Sequence, residues 1–305
     1  MTYIEVLKRG KKEYYYLTKN VRVEHDKWKK TRVYLGDKKP NAEQIKKAAK
    51  QVEQNAPTTP LFSYLSTEHA EVLEDLKESY TQWLKKTPES IKKKLNEDFM
   101  IRFTYHSNAI EGNRLTLRET ALILKDKVIP SGVRAQDYNE AINGKECLEY
   151  LKKYKGELNT KFLEKINGML TKNTDTIYAG RIRFFDVKIQ GSTHTPPPHK
   201  EVKQHLMNMF KWYSAKKNKL HPFELATIIH HKLTWIHLFE DGNGRTSRTI
   251  MNWILMKKGY PMFFIPVEKR QAYYEILKLA DKKEDKTYVA NMLQLIIDQI
   301  KEYKR

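Results

Sequence analysis

From about residue 61 onward the apolar residues of this chain return every three or four positions, and that regularity leaves a mostly helical body as the fold. In "STEHAEVLEDLKESYTQWLKK", Val72, Leu73, Leu76, Tyr80, Trp83 and Leu84 share one helix face. The spacing recurs in "YNEAINGKECLEYLKKY", "KFLEKINGMLTK", "EVKQHLMNMFKWYSAKK", "FELATIIHHKLTWIHLF", "TSRTIMNWILMKKG", "RQAYYEILKLADKK" and "TYVANMLQLIIDQIKEY". Such faces have to be buried against one another, which predicts a mainly α bundle. One stretch breaks the rule: "FFDVKIQGSTHTPPP" (184–198) alternates, carries Gly191 and ends in three prolines, so it reads as a β-hairpin flap.

The first forty residues follow a different pattern. "KKEYYYLT", "NVRVEH" and "KTRVYLG" are short and rich in Tyr and Val, which predicts a small antiparallel sheet. "PNAEQIKKAAKQVEQ" reads as a helix, and the prolines of "NAPTTP" (55–60) break it as a linker. The expected division is a small β-rich module with its helix over 1–60 and a helical catalytic domain over 61–305. A single cysteine, Cys147, excludes an intrachain disulfide framework. With neither a signal peptide nor an apolar run long enough to span a bilayer, the expected location is the cytoplasm. Lys and Arg number 57 against 37 Asp and Glu, a net +20 spread along the chain rather than gathered in one stripe. That balance draws phosphate-bearing partners without naming one.

The densest chemistry lies in "HLFEDGNGRTSR", residues 237–248. If "GNGRTSRTIMNWILM" is a helix with a glycine-rich first turn, its unpaired N–H groups and partial positive charge form an anion cradle that Gly242 and Gly244 leave open. Arg245 and Arg248, three residues apart, are expected to point at one polyanion, and the Asn243 amide to donate to a phosphoryl oxygen. Asp241 supplies an oxygen ligand for a hard divalent cation such as Mg²⁺, with Mn²⁺ as a substitute. His237 is the group suited to take a proton near neutrality. A Gly-Asn-Gly turn or a lone histidine is ordinary alone; the joint register points to phosphoryl chemistry. The Gly-x-x-x-x-Gly-Lys loop of P-loop NTPases is absent.

These residues resemble the Fic family signature His-x-Phe-x-Asp/Glu-Gly-Asn-Gly/Lys-Arg-x-x-Arg, with Leu238 where proline is commonest. The resemblance extends over most of residues 95–280. It implies a protein adenylyltransferase that moves AMP from ATP to a Ser, Thr or Tyr hydroxyl. His237 would be the base and Asp241 the Mg²⁺ ligand. Gly242, Asn243 and Gly244 would line the anion hole, with Arg245 on the phosphate tail. Glycine at 244 fits AMP transfer better than phosphate transfer, whose branch usually has lysine there. The resemblance also implies an unidentified protein target docked along the flap at Lys188, Ile189, Gly191, Ser192 and His194. Backbone pairing of an extended target segment with that flap is the expected mode. Self-modification and a homodimer stay open.

"SNAIEGN" (107–113) resembles the family's inhibitory pattern Ser/Thr-x-x-x-Glu-Gly/Asn, with Ser107, Glu111 and Gly112 on a helix near 99–112. Pairing of Glu111 with Arg248 would deny the γ-phosphate its clamp. Gly112 is equally a plain helix stop. Two alternatives accompany this reading: a deAMPylase or another nucleotidyl or phosphoryl transferase of the family, and a nucleic-acid-binding regulator acting through residues 1–60. Tyr14, Tyr15 and Tyr16 with their lysines suit base stacking, or the core of the small sheet; nucleic acid is the less favoured partner. His221, His230, His231 and His237 lack zinc-site spacing.

Overall fold

A computed structural model describes residues 2–10, 12–22, 28–55, 64–174, 176–189 and 192–303. Strands β1 (Thr2–Arg9), β2 (Lys12–Arg22) and β3 (Trp28–Gly36) form an antiparallel sheet in the order β1-β2-β3. Two of the expected strand segments merge, since β2 runs from "KEYYYLT" through Arg22, while residues 23–27 lie outside the described set. "TYIEVLKR", not expected as a strand, forms the edge strand β1; its charges obscure the pattern and also blunt an exposed edge. Helix α1 (Ala42–Asn55) covers one face of the sheet, packing Ile45, Ala48, Ala49 and Val52 on Leu17, Val33 and Leu35. The linker expected at 55–60 lies, beyond Asn55, outside the described residues.

Among the described residues ten further α-helices follow: α2 (Thr67–Lys86), α3 (Glu89–Ile110), the short α4 (Leu117–Ala121), α5 (Ala135–Lys153), α6 (Thr160–Leu170), α7 (His199–Lys216), α8 (Pro222–Ile236), α9 (Asn243–Lys257), α10 (Arg270–Asp281) and α11 (Asp285–Tyr303). Helices α8 and α9 are central, with Leu225, Ala226, Ile229, Ile250, Trp253 and Leu255 all inaccessible to solvent or nearly so. A helix buried on every side must pair its polar groups internally. Asn252 does so with both backbone groups of Phe263, at 2.7 and 2.9 Å. At the start of α8, Pro222 occupies the first turn and Glu224 closes a capping box on His221. The same buried carboxylate accepts the N–H groups of Tyr64 and Leu65 at 2.7 and 2.8 Å, docking the incoming chain at the base of α8.

The flap differs in detail from a paired hairpin. Among the described residues of 181–198 no strand ladder forms; an N–H of Ser192 donated to the Ile189 carbonyl (3.2 Å) closes the tip, and Gly191 lies outside the described residues. Three prolines have no N–H to contribute to a ladder, so other groups must take the flap's carbonyls. No described helix is long and apolar enough to cross a membrane.

Candidate active site at the junction of α8 and α9

Helix α8 ends at His237, whose φ of 52° places a non-glycine residue in the left-handed region. That conformation is held from outside by Arg183, whose Nε donates to the His237 carbonyl at 2.7 Å and whose backbone N–H donates to the Leu238 carbonyl at 2.9 Å. The chain then turns back at Gly242, with φ of 73°. A Cβ there would also meet Thr171 Cγ2 at 2.6 Å and Asn167 Nδ2 at 2.9 Å, so glycine is required twice over. Asn167, buried between these elements, donates to the Asp241 carbonyl at 2.8 Å and accepts from Gly180 N–H at 2.9 Å.

The Asn243 side chain does something other than the expected phosphate contact. Its Oδ1 accepts the Phe239 N–H (2.9 Å) and its Nδ2 donates to the Phe239 carbonyl (2.8 Å), so the buried amide clamps the loop instead of reaching outward. What remains open toward a ligand is the backbone of the first turn of α9.

His237 itself sits half-buried at the edge of this cradle. Nδ1 lies 3.3 Å from the Thr234 carbonyl; a carbonyl only accepts, so Nδ1 carries the proton and Nε2 presents its lone pair. Nε2 has no partner among the described residues. Burial pushes the ring pKa down to about 4, against smaller upward pulls from the Thr234 carbonyl and Glu111. At neutral pH the imidazole is therefore a free base.

Arg245 and Arg248 diverge, contrary to the expectation that both address one anion. Arg245 is buried, with Nη2 on Asp241 Oδ2 at 2.8 Å and Nη1 3.0 Å from Glu140 Oε1 on α5. The Glu140 contact is an ion pair at a poor hydrogen-bond angle. Glu140 Oε2 accepts from Asn113 Nδ2 at 2.7 Å, so one buried carboxylate links the turn after Gly112 to Arg245 and thence to Asp241. The Asp241 carboxylate remains half-exposed.

Arg248 points the other way, to the end of α3. Nη2 donates to Glu111 Oε1 (2.8 Å) and to the Ser107 carbonyl (2.7 Å), and Nε to Ser107 Oγ (3.1 Å). The helix stops there because Gly112 turns the chain with φ of 99°. Glu111 Oε1 stands over the first turn of α9, so close that a Cβ on Gly244 would collide with it. Behind Arg248, Tyr273 donates to His230, and the proton order follows from one fact. Tyr288 gives its only proton to the Thr227 carbonyl (2.9 Å), so it accepts from His230 Nδ1 (3.0 Å), and His230 Nε2 accepts from Tyr273 (2.9 Å). The Tyr273 oxygen keeps a lone pair on the Arg248 side, and the guanidinium carbon is 6.0 Å from the ring centre.

The flap is bound by the same Arg183 that holds His237. Its Nη1 donates to the Phe185 carbonyl (3.1 Å) and Nη2 to the Pro197 carbonyl (2.6 Å), one on each arm. His194 anchors a third point, donating Nε2–H to the Trp235 carbonyl at 2.9 Å, so its ring serves the protein's own backbone. Lys188 and Ser192 are exposed and Ile189 half-buried, leaving the tip available. His221, with Glu74 and Tyr260, and His231, with Asp281, have side-chain partners elsewhere. Sequence reasoning missed Arg183, Glu140, Asn167 and Tyr273. Each is a single polar residue whose partners lie far along the chain, and no spacing rule flags such a residue.

Residues 157–255 match the Fic/DOC family model. The chain is 30% identical over 240 residues to protein adenylyltransferase fic-1 of Caenorhabditis elegans, covering 77% of this chain and 46% of that one. It is 34% identical over 189 residues to protein adenylyltransferase Fic of Drosophila grimshawi, covering 61% and 39%. It thus spans less than half the length of these curated relatives. A Fic domain containing signaling protein from Bacteroides thetaiotaomicron superposes with a TM-score of 0.69 at 25% identity, covering 76% of this chain and 95% of that one. A fragment of C. elegans Fic-1 gives 0.67 at 25% identity, covering 86% and 75%.

Proposed function

Because this chain belongs to the Fic/DOC family, we propose that it is a protein adenylyltransferase whose nucleotide site is held shut by Glu111. The carrying observation is that the buried Arg248 is paired with Glu111 directly over the first turn of α9, where a triphosphate would lie. His237 Nε2 takes the proton of a protein hydroxyl as its oxygen attacks the α-phosphorus of ATP. The bond from that phosphorus to the bridging oxygen breaks, pyrophosphate leaves, and AMP remains on the acceptor. The backbone N–H groups of Asn243, Gly244 and Arg245 hold the phosphate oxygens, and positioning and charge supply most of the rate.

The donors also fit a divalent cation brought with the nucleotide. Asp241 retains an oxygen that Arg245 does not use, and no three His, Cys, Asp or Glu side chains among the described residues gather into a metal cage. Such a set suits Mg²⁺ or Mn²⁺ bound through one carboxylate plus phosphates, where the ion would neutralise phosphate charge. Acceptor hydroxyls would be presented along the flap, on another protein or on a second copy of this chain.

The test is labelling with α- and γ-labelled ATP. Label is expected on protein from the α position alone, rising about tenfold or more in Glu111→Gly, which requires only about 1.4 kcal/mol of released inhibition. Label from the γ position instead would replace AMP transfer by phosphate transfer. Lower activity with a lower Tm in Glu111→Gly would reduce Glu111 to a helix end.

A further inference from the structure

Residues 1–55 hold 15 Lys and Arg against 7 Asp and Glu, a net +8 of the chain's +20 in less than a fifth of its length. The consecutive tyrosines of β2 divide by strand alternation. Tyr15 shares the α1 side with Leu17 and donates to Glu13 at 2.9 Å. Tyr14 and Tyr16 lie on the opposite side, their ring centres 6.3 and 5.3 Å from that of Tyr34 on β3. Tyr3 joins them from β1, in the row Tyr3, Thr18, Arg32 across the sheet. The two outermost rings are the most open, Tyr3 at 37% and Tyr34 at 53% exposure. Two strand spacings and two residues separate them, about 12 Å.

Cations stand among these rings. Arg32 donates Nε to Glu5 Oε2 (2.8 Å) and Nη2 to Oε1 (3.1 Å), Lys30 donates to the same Oε1 (2.8 Å), and Thr18 to Oε2 (2.9 Å). Two cations share one acid and are held in place by it, and Lys30 Nζ lies 6.0 Å over the Tyr3 ring. Alternation puts Lys12 on the same face. Helix α1 packs on the other side, and on this face Tyr3, Tyr34, Lys12, Lys30 and Arg32 are exposed.

We propose that the outer face of the N-terminal sheet binds a single-stranded polynucleotide, stacking unpaired bases on Tyr3 and Tyr34 and setting backbone phosphates against Lys12, Lys30 and Arg32. Exposed rings spaced across a sheet are useful only to bases whose faces are free, and a duplex already stacks those faces on each other. The positive excess supplies the complement to the phosphates. This surface is separate from the transfer chemistry and stands or falls without it.

The test uses the full chain and fluorescence anisotropy of a labelled oligonucleotide of roughly twelve nucleotides, single-stranded DNA, RNA or duplex, at about 50 and 200 mM salt. Tighter binding of the single strands is expected, weakened about tenfold or more in the Tyr3→Ala/Tyr34→Ala double variant and unchanged in Tyr15→Phe, on the α1 side. Lys12→Ala is expected to lower the salt slope by about 0.7. Circular dichroism of each variant separates lost binding from lost folding. Absence of binding at low salt overturns the proposal. So does equal affinity for duplex and single strand that ignores the tyrosines, which is net charge alone, or capture by phosphatidylserine vesicles with none by oligonucleotides.

Discussion

His237 is the residue on which the transfer reading turns, and its environment makes a pH prediction. Its ring titrates near 6.5 when unfolded and near 4 in the folded chain, so the base form persists as pH falls through the usual histidine range. Single-turnover labelling is expected to hold down to about pH 5 and to fall only below it; a limb near 6.5 would mean that the buried neutral state is wrong. His237→Ala is expected to abolish labelling while leaving ATP binding intact, because the anion cradle is made by other residues; undiminished labelling would remove the base. Glu140 gives a sharper test. Glu140→Gln keeps an acceptor for Asn113 but leaves the Arg245 cation to Asp241 alone. With Arg245 drawn more fully onto Asp241, the carboxylate proposed to hold Mg²⁺, the Mg²⁺ concentration for half-maximal labelling should rise about tenfold. A loss of activity with unchanged Mg²⁺ dependence would make Glu140 a packing residue only.

At the scale of elements, the twelve-residue signature and the helices around it were legible because both depend on local spacing. The start of α9 and the stop at Gly112 follow from residue types at fixed offsets. The pairing of Glu111 with Arg248 does not: no spacing rule links residues so far apart, the family resemblance implied it, and the structure places the two side chains 2.8 Å apart. The side-chain tasks of Asn243 and Arg245 were not legible, since each depends on a neighbour's backbone or on α5. Of the flap, only the detail was not legible: alternation in "FFDVKIQG" reads as pairing, but among the described residues no ladder forms, and the Phe185 and Pro197 carbonyls, one on each arm, accept from Arg183. Arg183→Met should therefore free both arms at once. Because Arg183 also holds the His237 carbonyl, the expected result is a several-fold higher KM for a protein acceptor together with a lower kcat, with ATP binding preserved, measured on a Glu111→Gly background; a lower kcat with unchanged KM would show that the flap holds its shape without that cation.

For the whole molecule, we propose a division near residue 61 into an N-terminal module and a helical body, which predicts where the chain tolerates cutting. A chain starting near residue 61 should fold and keep self-labelling, whereas one starting at Thr67 should lose roughly 3 kcal/mol, because Glu224 is fully buried and would lose the N–H groups of Tyr64 and Leu65. Chemical denaturation of the two truncations compares them directly; equal midpoints would place the true boundary later. That docking point also sets a leash. Nine residue steps separate Asn55 from Tyr64, so the end of α1 can stray no more than about 30 Å from the base of the helix that ends at His237. The helix itself adds about 20 Å to His237 and α1 about as much again, so anything gripped by the sheet stays within about 70 Å of the active site, at an effective concentration of about a millimolar. A feeble acceptor riding on the same ligand would be modified as though it were abundant, and target choice would be set by neighbourhood rather than by fit to the flap.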